Sequence, residues 1–381
     1  MNDSPIYARL DAELEERKKK NLFRTPGASG EGVRIDLSTN SYLNLQDNAD
    51  VALEAKKLAG ECLSGNLASR IIETRSPLYN KLESELAQWK KAEAALVFNS
   101  GYAANLGIVQ SLCTRDTEVF CDRLNHASII DGIRLSGAFL SRYAHCDMAD
   151  LKKRLESSKK KEKLIVSDSV FSMDGDAAPL ADICELAKKY RCMVMIDEAH
   201  ATGVFGGTLA GYVEECGVSE DVDVVMGTLS KAIAGLGGFF AGSSMLKDSL
   251  VNNARSLIYS TALPQSVLAH NLAAVYYIKK HPEVGKELLA KAEKYREEVQ
   301  SLGFDTLNSS THIIPCIVEN ESDAIGLSAF LMRRGIKAPA IRPPTVPAGT
   351  ARIRFSVHVG CSSDDLAFAI SQLSEWKKSR G

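Results

Sequence analysis

The sequence predicts an α/β fold with a mostly parallel central sheet and a smaller α+β unit at its C-terminal end. Between residues 92 and 240 short apolar runs alternate with helical patterns, the mark of βαβ units. Those runs are as apolar as strands covered on both faces. They end in small, polar or acidic residues, at the sheet edge where open α/β folds hold their ligands.

Taken in order, "PIYARLDAELEERKKKNLF" reads as an amphipathic helix, with Ile6, Leu10 and Leu14 four apart. A turn and a short strand at Val33–Leu37 follow. Leu78, Leu82, Leu86 and Trp89 share one face of a helix over 78–89. The strand candidates are "AALVFNSG", "TEVFCDRLNH", "KLIVSDSVFSMDG", "CMVMIDEAHATG" and "DVVMGTLSK", with helical stretches such as "LADICELAKKY" between them. A long charged helix from about 285 precedes "STHIIPCIV", a helix, "GIKAPAIRPPTV" and "ARIRFSVHV". The expected division is an N-terminal segment (1–50), a large α/β domain (51–285) and a small α+β domain (286–381).

With 381 residues, 45% hydrophobic, 25% charged and a formal net charge of -2, the chain has no bias toward nucleic acid or anionic membranes. Nine cysteines form no CxxC pair, so reduced thiols and a cytoplasmic location are expected. No apolar h-region marks a signal peptide and no run of 18 apolar residues marks a span, so no membrane partner is expected. "DEAH" at 197–200 looks like a helicase box, but no GxxxxGK[ST] loop accompanies it. No histidine or cysteine spacing resembles a zinc site, so no metal is expected.

The chemistry-bearing positions sit at strand ends. Asp197 directly after "CMVMI" is costly as a buried charge unless paired. It reads either as a cap or ion pair, or as the partner of a heteroaromatic nitrogen. Lys231, between a buried strand and a glycine-rich run, is either a snorkelling lysine or an amine made nucleophilic by desolvation. Together an aspartate and a reactive lysine are what pyridoxal 5'-phosphate (PLP) needs: one holds the pyridine nitrogen protonated, the other forms the imine. In "NSGYAAN" Ser100, Gly101 and Tyr102 stand between a strand and a helix, where backbone N–H groups suit a phosphate, and Thr228 adds a hydroxyl. The same stretch also reads as a plain strand–turn–helix. His126 and His200 are either satisfied polar residues or groups placed over the cofactor ring and at its 3'-oxygen.

From about residue 30 to 375 the chain resembles the α-oxoamine synthase family of fold-type-I, aspartate aminotransferase-like PLP transferases. The motifs that carry the resemblance are "NSGYAAN", "NHASIIDG", "FSMDGDAAPL", "IDEAHATGVFG", "GTLSKAIAGLGG" and "STALP". The resemblance implies that Lys231 carries the cofactor, Asp197 pairs with its ring nitrogen, His126 stacks on the ring and His200 meets the 3'-oxygen. Lys231 and His126 would be the catalytic pair. It also implies that Ser172 lies beside the cofactor and that Ser100, Gly101, Tyr102 and Thr228 help to hold it. Thr261 would reach the phosphate of a neighbouring subunit, making a homodimer with shared sites. Arg354 would bind the amino-acid carboxylate, with Asn40 and Arg24 completing the substrate set. Arg352 is expected on the opposite strand face.

The tail "AIRPPTVPAGTARIR" is like that of the branch that joins L-alanine to a pimeloyl thioester. Glycine with a short acyl-CoA is the sister reaction, and a silent scaffold subunit is the alternative of another class, opposed by the presence of Lys231. Two features depart from the family pattern: Thr74 and Tyr79 stand where a glycine and a histidine are usual, and "VHVG" replaces "TAAH".

Overall fold

The computed structural model describes residues 4–23, 32–60, 65–72 and 77–380. Twelve strands are described: β1 Ile35–Asp36, β2 Ala94–Phe98, β3 Thr117–Asp122, β4 Phe139–Tyr143, β5 Glu162–Asp168, β6 Met193–Asp197, β7 Val224–Thr228, β8 Gly238–Gly242, β9 Ile313–Glu319, β10 Ile336–Lys337, β11 Ala340–Ile341 and β12 Ala351–Ser356. The main sheet runs β2-β8-β7-β6-β5-β3-β4, and β8 alone runs antiparallel to its neighbours. This is the mostly parallel α/β sheet that the sequence predicts. Its strands read as apolar runs because helices cover both faces: β3, β5, β6 and β7 bury nearly every residue.

Two strands escape the sequence pattern. β4 is an edge strand with Phe139 and Arg142 exposed, so its apolar signal is weak. β8, "GFFAG", follows the glycine run and returns antiparallel along β7, Thr228 opposite Gly238. Residues 229–237 are therefore a hairpin loop at the sheet edge, and that loop carries Lys231.

The helix predicted over 78–89 spans Leu78–Trp89 and buries Leu82, Leu86 and Trp89. The first helix, Pro5–Lys19, forms as predicted but buries none of its residues in this chain. Its stripe Ile6, Leu10 and Leu14 stays exposed. The expected strand over 33–37 shrinks to β1, which pairs in parallel with β10. This pairing carries the segment just after it, Ser38–Leu43, toward β9 and β12. The C-terminal elements build an antiparallel sheet β11-β12-β9 flanked by helices Glu321–Met332 and Ser363–Lys378. Among the described residues no helix is long and apolar enough to cross a membrane.

Candidate active site

Register brings the acidic strand ends together. β5 and β6 are aligned so that Asp168 lies beside Asp197, and β6 places Asp197 beside Met226 of β7. A cavity of about 230 Å³ opens at this C-terminal edge. Asp197, His126, His200, Thr228 and Lys231 all line it, as do Ser100, Gly101 and Tyr102.

Lys231 is fixed by its loop. The Leu229 N–H donates to the Gly237 carbonyl (3.0 Å), and Gly235 N–H to the Leu229 carbonyl (2.8 Å). From the helix Gln265–Lys280, Asn271 Nδ2 donates to the Leu236 carbonyl (2.9 Å). The Thr228 hydroxyl closes the loop base on the Gly237 carbonyl (3.0 Å) and lies 2.8 Å from Ser230 Oγ. Burial, against the pull of Asp197 and Asp168, lowers the Lys231 pKa to about 8. A buried ammonium loses hydration, so the neutral, nucleophilic amine is favoured.

"DEAH" resolves into three separate jobs. Asp197 faces the cavity, accepting from Asn105 Nδ2 (2.7 Å) and the Ala199 N–H (2.8 Å). Glu198 points away and pairs with the buried Lys90 at 2.6 Å, also accepting from the Val213 N–H. Such a buried pair is structural, since removing either partner strands the other's charge. His200 Nε2 lies 2.7 Å from Lys231 Nζ, while its Nδ1 lies 2.6 Å from the Tyr42 hydroxyl. Burial and the nearby Lys231 hold His200 well below its ordinary pKa, so its ring is neutral.

His126 caps the helix Ala127–Ser136 and lines the cavity, its Nδ1 2.7 Å from Ser128 Oγ. Burial outweighs Asp197 and lowers its pKa. The helix Gly101–Leu112 starts at the cavity wall. Ser100 Oγ accepts the Ala103 N–H (3.0 Å), which leaves the first N–H groups of the helix for an anion. A Cβ on Gly238 would lie 2.6 Å from the Ser100 carbonyl and 2.7 Å from Gly101 Cα, so only glycine lets β8 pass this turn. Tyr102 sits half-exposed, its hydroxyl donating to Asp131.

Arg354 is buried, donating from Nε to the Ser172 carbonyl (2.5 Å), from Nη1 to Ser356 Oγ (2.6 Å) and from Nη2 to Asn40 Oδ1 (3.1 Å). Tyr42 also lies 3.1 Å from Asn40 Oδ1. A continuous chain of contacts thus joins Lys231, His200, Tyr42, Asn40 and Arg354. Ser172 enters this set through its carbonyl and does not line the cavity. Arg352 corrects the expected opposite face: residues two apart on a strand point the same way. Its Nη1 donates to Asp174 (2.6 Å) and the Met173 carbonyl (3.3 Å), alongside the Arg354–Ser172 contact. Thr261 is exposed and outside this chain's cavity lining; it bridges to Ser69. Arg24 and Thr74 lie outside the described residues. Tyr79 is buried, its hydroxyl accepting the Leu263 N–H (2.7 Å) under the Arg70 guanidinium.

Four residues were not singled out by sequence reasoning: Tyr42, Asn105, Asp168 and His312. Asn105 is one helical turn beyond Gly101, a signal the motif contained. Asp168 ends "LIVSD" as Asp197 ends "VMID", and burial beside Asp197 raises its pKa well above the carboxylate range. Tyr42 and His312 come from distant segments, their rings 4.0 Å apart and edge-on.

The donor set fits PLP: an amine for the aldehyde, a carboxylate for the ring nitrogen, two imidazoles in the cavity lining, and a helix start for the phosphate. Asn105 Oδ1, buried with no partner among the described residues, leaves an acceptor spare beside Asp197.

Residues 33–373 match the family model described as "Aminotransferase class I and II". The chain is 45% identical to a Geobacillus kaustophilus protein, with 94% of each covered. It is 42% identical to one from Citrifermentans bemidjiense, covering 95% of this chain and 97% of that one. The first is named provisionally, and the second outright, as 8-amino-7-oxononanoate synthase. A serine palmitoyltransferase from S. paucimobilis with bound PLP–myriocin superposes with a TM-score of 0.92 at 27% identity, covering 100% of this chain and 99% of that one.

Proposed function

Because the chain belongs to the class I and II aminotransferase family, in its PLP-dependent α-oxoamine synthase branch, we propose that it condenses L-alanine with a pimeloyl thioester. The products are 8-amino-7-oxononanoate, CO2 and free thiol, a step of biotin biosynthesis. The observation that carries this reading is the contact chain from Lys231 to Arg354, which couples an amine of lowered pKa to a buried guanidinium. The identity of 42–45% over nearly whole chains outweighs the serine palmitoyltransferase likeness at 27% in choosing the substrates.

When bound, PLP supplies an electron sink for the amino-acid α-carbon. Lys231 would hold its aldehyde, Asp197 its ring nitrogen, His200 its 3'-oxygen and His126 its ring face. Ser100, Gly101, Tyr102 and Thr228 would cradle its phosphate, with Thr261 offered to the site of a second copy in a homodimer.

Arg354 holds the alanine carboxylate through its charge, with Asn40 fixing the guanidinium plane. Once the amino acid has taken its place on the aldehyde, the freed Lys231 Nζ, neutral above about pH 8, takes the α-proton. His200, neutral and anchored by Tyr42, positions that amine without competing for the proton. The deprotonated α-carbon attacks the acyl carbonyl, which enters past His126; the C–C bond forms as the C–S bond breaks and the thiolate leaves. Arg354 then releases the carboxyl group as CO2, and Lys231 returns its proton to the same carbon.

The test is a substrate matrix on the PLP-loaded enzyme: alanine, glycine and serine against pimeloyl-, acetyl-, succinyl- and palmitoyl-CoA, following thiol and CO2. Alanine with pimeloyl-CoA is expected to dominate by at least about tenfold in kcat/KM, and Lys231→Ala to be silent. Glycine with acetyl-CoA, or serine with palmitoyl-CoA, in first place would refute the substrate assignment. Activity in Lys231→Ala would refute the site.

A further inference from the structure

His145 lies outside the cavity and takes no part in the chemistry above, yet it is locked on both sides. Its Nδ1 is 3.0 Å from Asp122 Oδ1 at the end of β3, and its Nε2 is 2.7 Å from Asp176 Oδ2 in the loop after β5. The ring also meets Phe171 of the same loop edge-on at 4.4 Å. Asp122 is a fixed anchor, accepting the N–H groups of Leu124 and Cys146 (both 2.8 Å). Although burial alone would lower it, the hydrogen bonds to Asp122 and Asp176 raise the His145 pKa to about 12. The ring is an imidazolium donating from both nitrogens.

Asp122, His145 and Cys146 come close enough together to resemble a cation site. Both ring nitrogens are already engaged by carboxylates, Nδ1 by Asp122 and Nε2 by Asp176, so the two hydrogen bonds occupy the positions a metal would need.

The loop that His145 fastens is the one that holds both buried arginines. The Ser172 carbonyl takes Arg354 Nε, while the Met173 carbonyl and Asp174 take Arg352. Asp176 closes the same turn, its carbonyl accepting the Phe171 N–H (3.0 Å). We propose that His145, clamped between Asp122 and Asp176, is a positioning residue for the amino-acid carboxylate: it fixes the 171–176 turn on the sheet and so sets the direction of the Arg354 guanidinium. The inference rests on the reading of Arg354 as the carboxylate ligand.

The experiment compares steady-state kinetics of the PLP-loaded enzyme with His145→Gln, Asp176→Ala, Asp176→Asn and Arg354→Ala, with the visible cofactor absorbance recorded for each. His145→Gln and Asp176→Ala are expected to raise the amino-acid KM about tenfold. The kcat, the thioester KM and the absorbance should stay within twofold. Asp176→Asn, which keeps the shape and one acceptor, restores part of the loss. If His145→Gln fails to fold, Asp176→Ala against Asp176→Asn still decides. An unchanged amino-acid KM in Asp176→Ala, with Arg354→Ala raising it, overturns the clamp alone. Equal losses in every kinetic parameter and in absorbance reduce His145 to a folding role. Stoichiometric zinc in the purified enzyme overturns it as well, since the same nitrogens cannot hold both proton and metal. An Arg354→Ala enzyme with unaltered amino-acid KM removes the premise, and the clamp with it.

Discussion

Lys231 answers to two opposing fields: removal from water lowers its pKa, and the carboxylates Asp197 and Asp168 raise it. Desolvation wins, leaving a value of about 8 in place of the ordinary 10.5. The amine proposed to capture PLP is therefore neutral above about pH 8 and charged below it. Cofactor capture by the PLP-free enzyme should accelerate as pH rises, with a midpoint near 8, read as the growth of visible absorbance after mixing. A midpoint near 10.5 would show an unburied lysine, and Lys231→Ala should show no such phase. At this scale the sequence was most readable where the chemistry sits on a strand end. The buried Asp197 and His200 and the half-buried Lys231 each follow an apolar run. Tyr42 carried no such mark, because its partner His200 is 158 residues away and the contact exists only after the sheet closes.

The elements that aim the site are turns, and their constraints are backbone constraints. Gly175 adopts φ +70°, and a Cβ there would lie 1.8 Å from the Ile313 carbonyl oxygen. That carbonyl is part of β9 and cannot retreat. The Gly175 carbonyl also accepts from the Ser310 N–H (3.1 Å) and Thr311 Oγ1 (2.8 Å), stitching the turn to the C-terminal elements. Gly175→Ala combines left-handed strain with a backbone clash, and should cost roughly 3 kcal/mol or more. Urea denaturation monitored by fluorescence gives the comparison, with Gly207→Ala as control: nothing lies within 4 Å of that position and its φ is not left-handed. Equal midpoints for the two variants would refute the clash. The sequence marked 171–180 as a motif but not as the seat of Arg354. The link is a backbone carbonyl, Ser172, that no side-chain pattern announces. Likewise β8 hid behind its glycines, which read as loop, although Gly238 is a strand residue that must pass the Ser100–Gly101 turn.

For the molecule as a whole, the parallel sheet was readable because five of its strands are apolar runs between helices. The joining of the two ends of the chain was not. β1 and β10 have two residues each, too short for periodicity to reveal, and their paired positions, such as Ile35 and Ile336, lie 301 residues apart. The same long-range economy makes one charge matter to global stability. His145 has a folded pKa of about 12 against 6.5 unfolded, so above pH 6.5 the folded chain binds a proton that the unfolded chain does not. Its contribution is complete below pH 6.5 and shrinks as pH rises toward 12, by up to about 1.4 kcal/mol per pH unit. Other groups titrate too, so the measurement is a difference: urea stability of the native chain minus that of His145→Gln at pH 6, 8 and 10. The gap should be widest at pH 6 and narrow steadily to pH 10. The Cys146 thiol feels the ring's charge, which pulls its raised pKa down, so the trend from pH 6 to 8, below the thiol's range, is the part that belongs to the imidazolium. A gap independent of pH would mean that the ring is neutral in the fold, and that Asp122 and Asp176 do not share a cation between them.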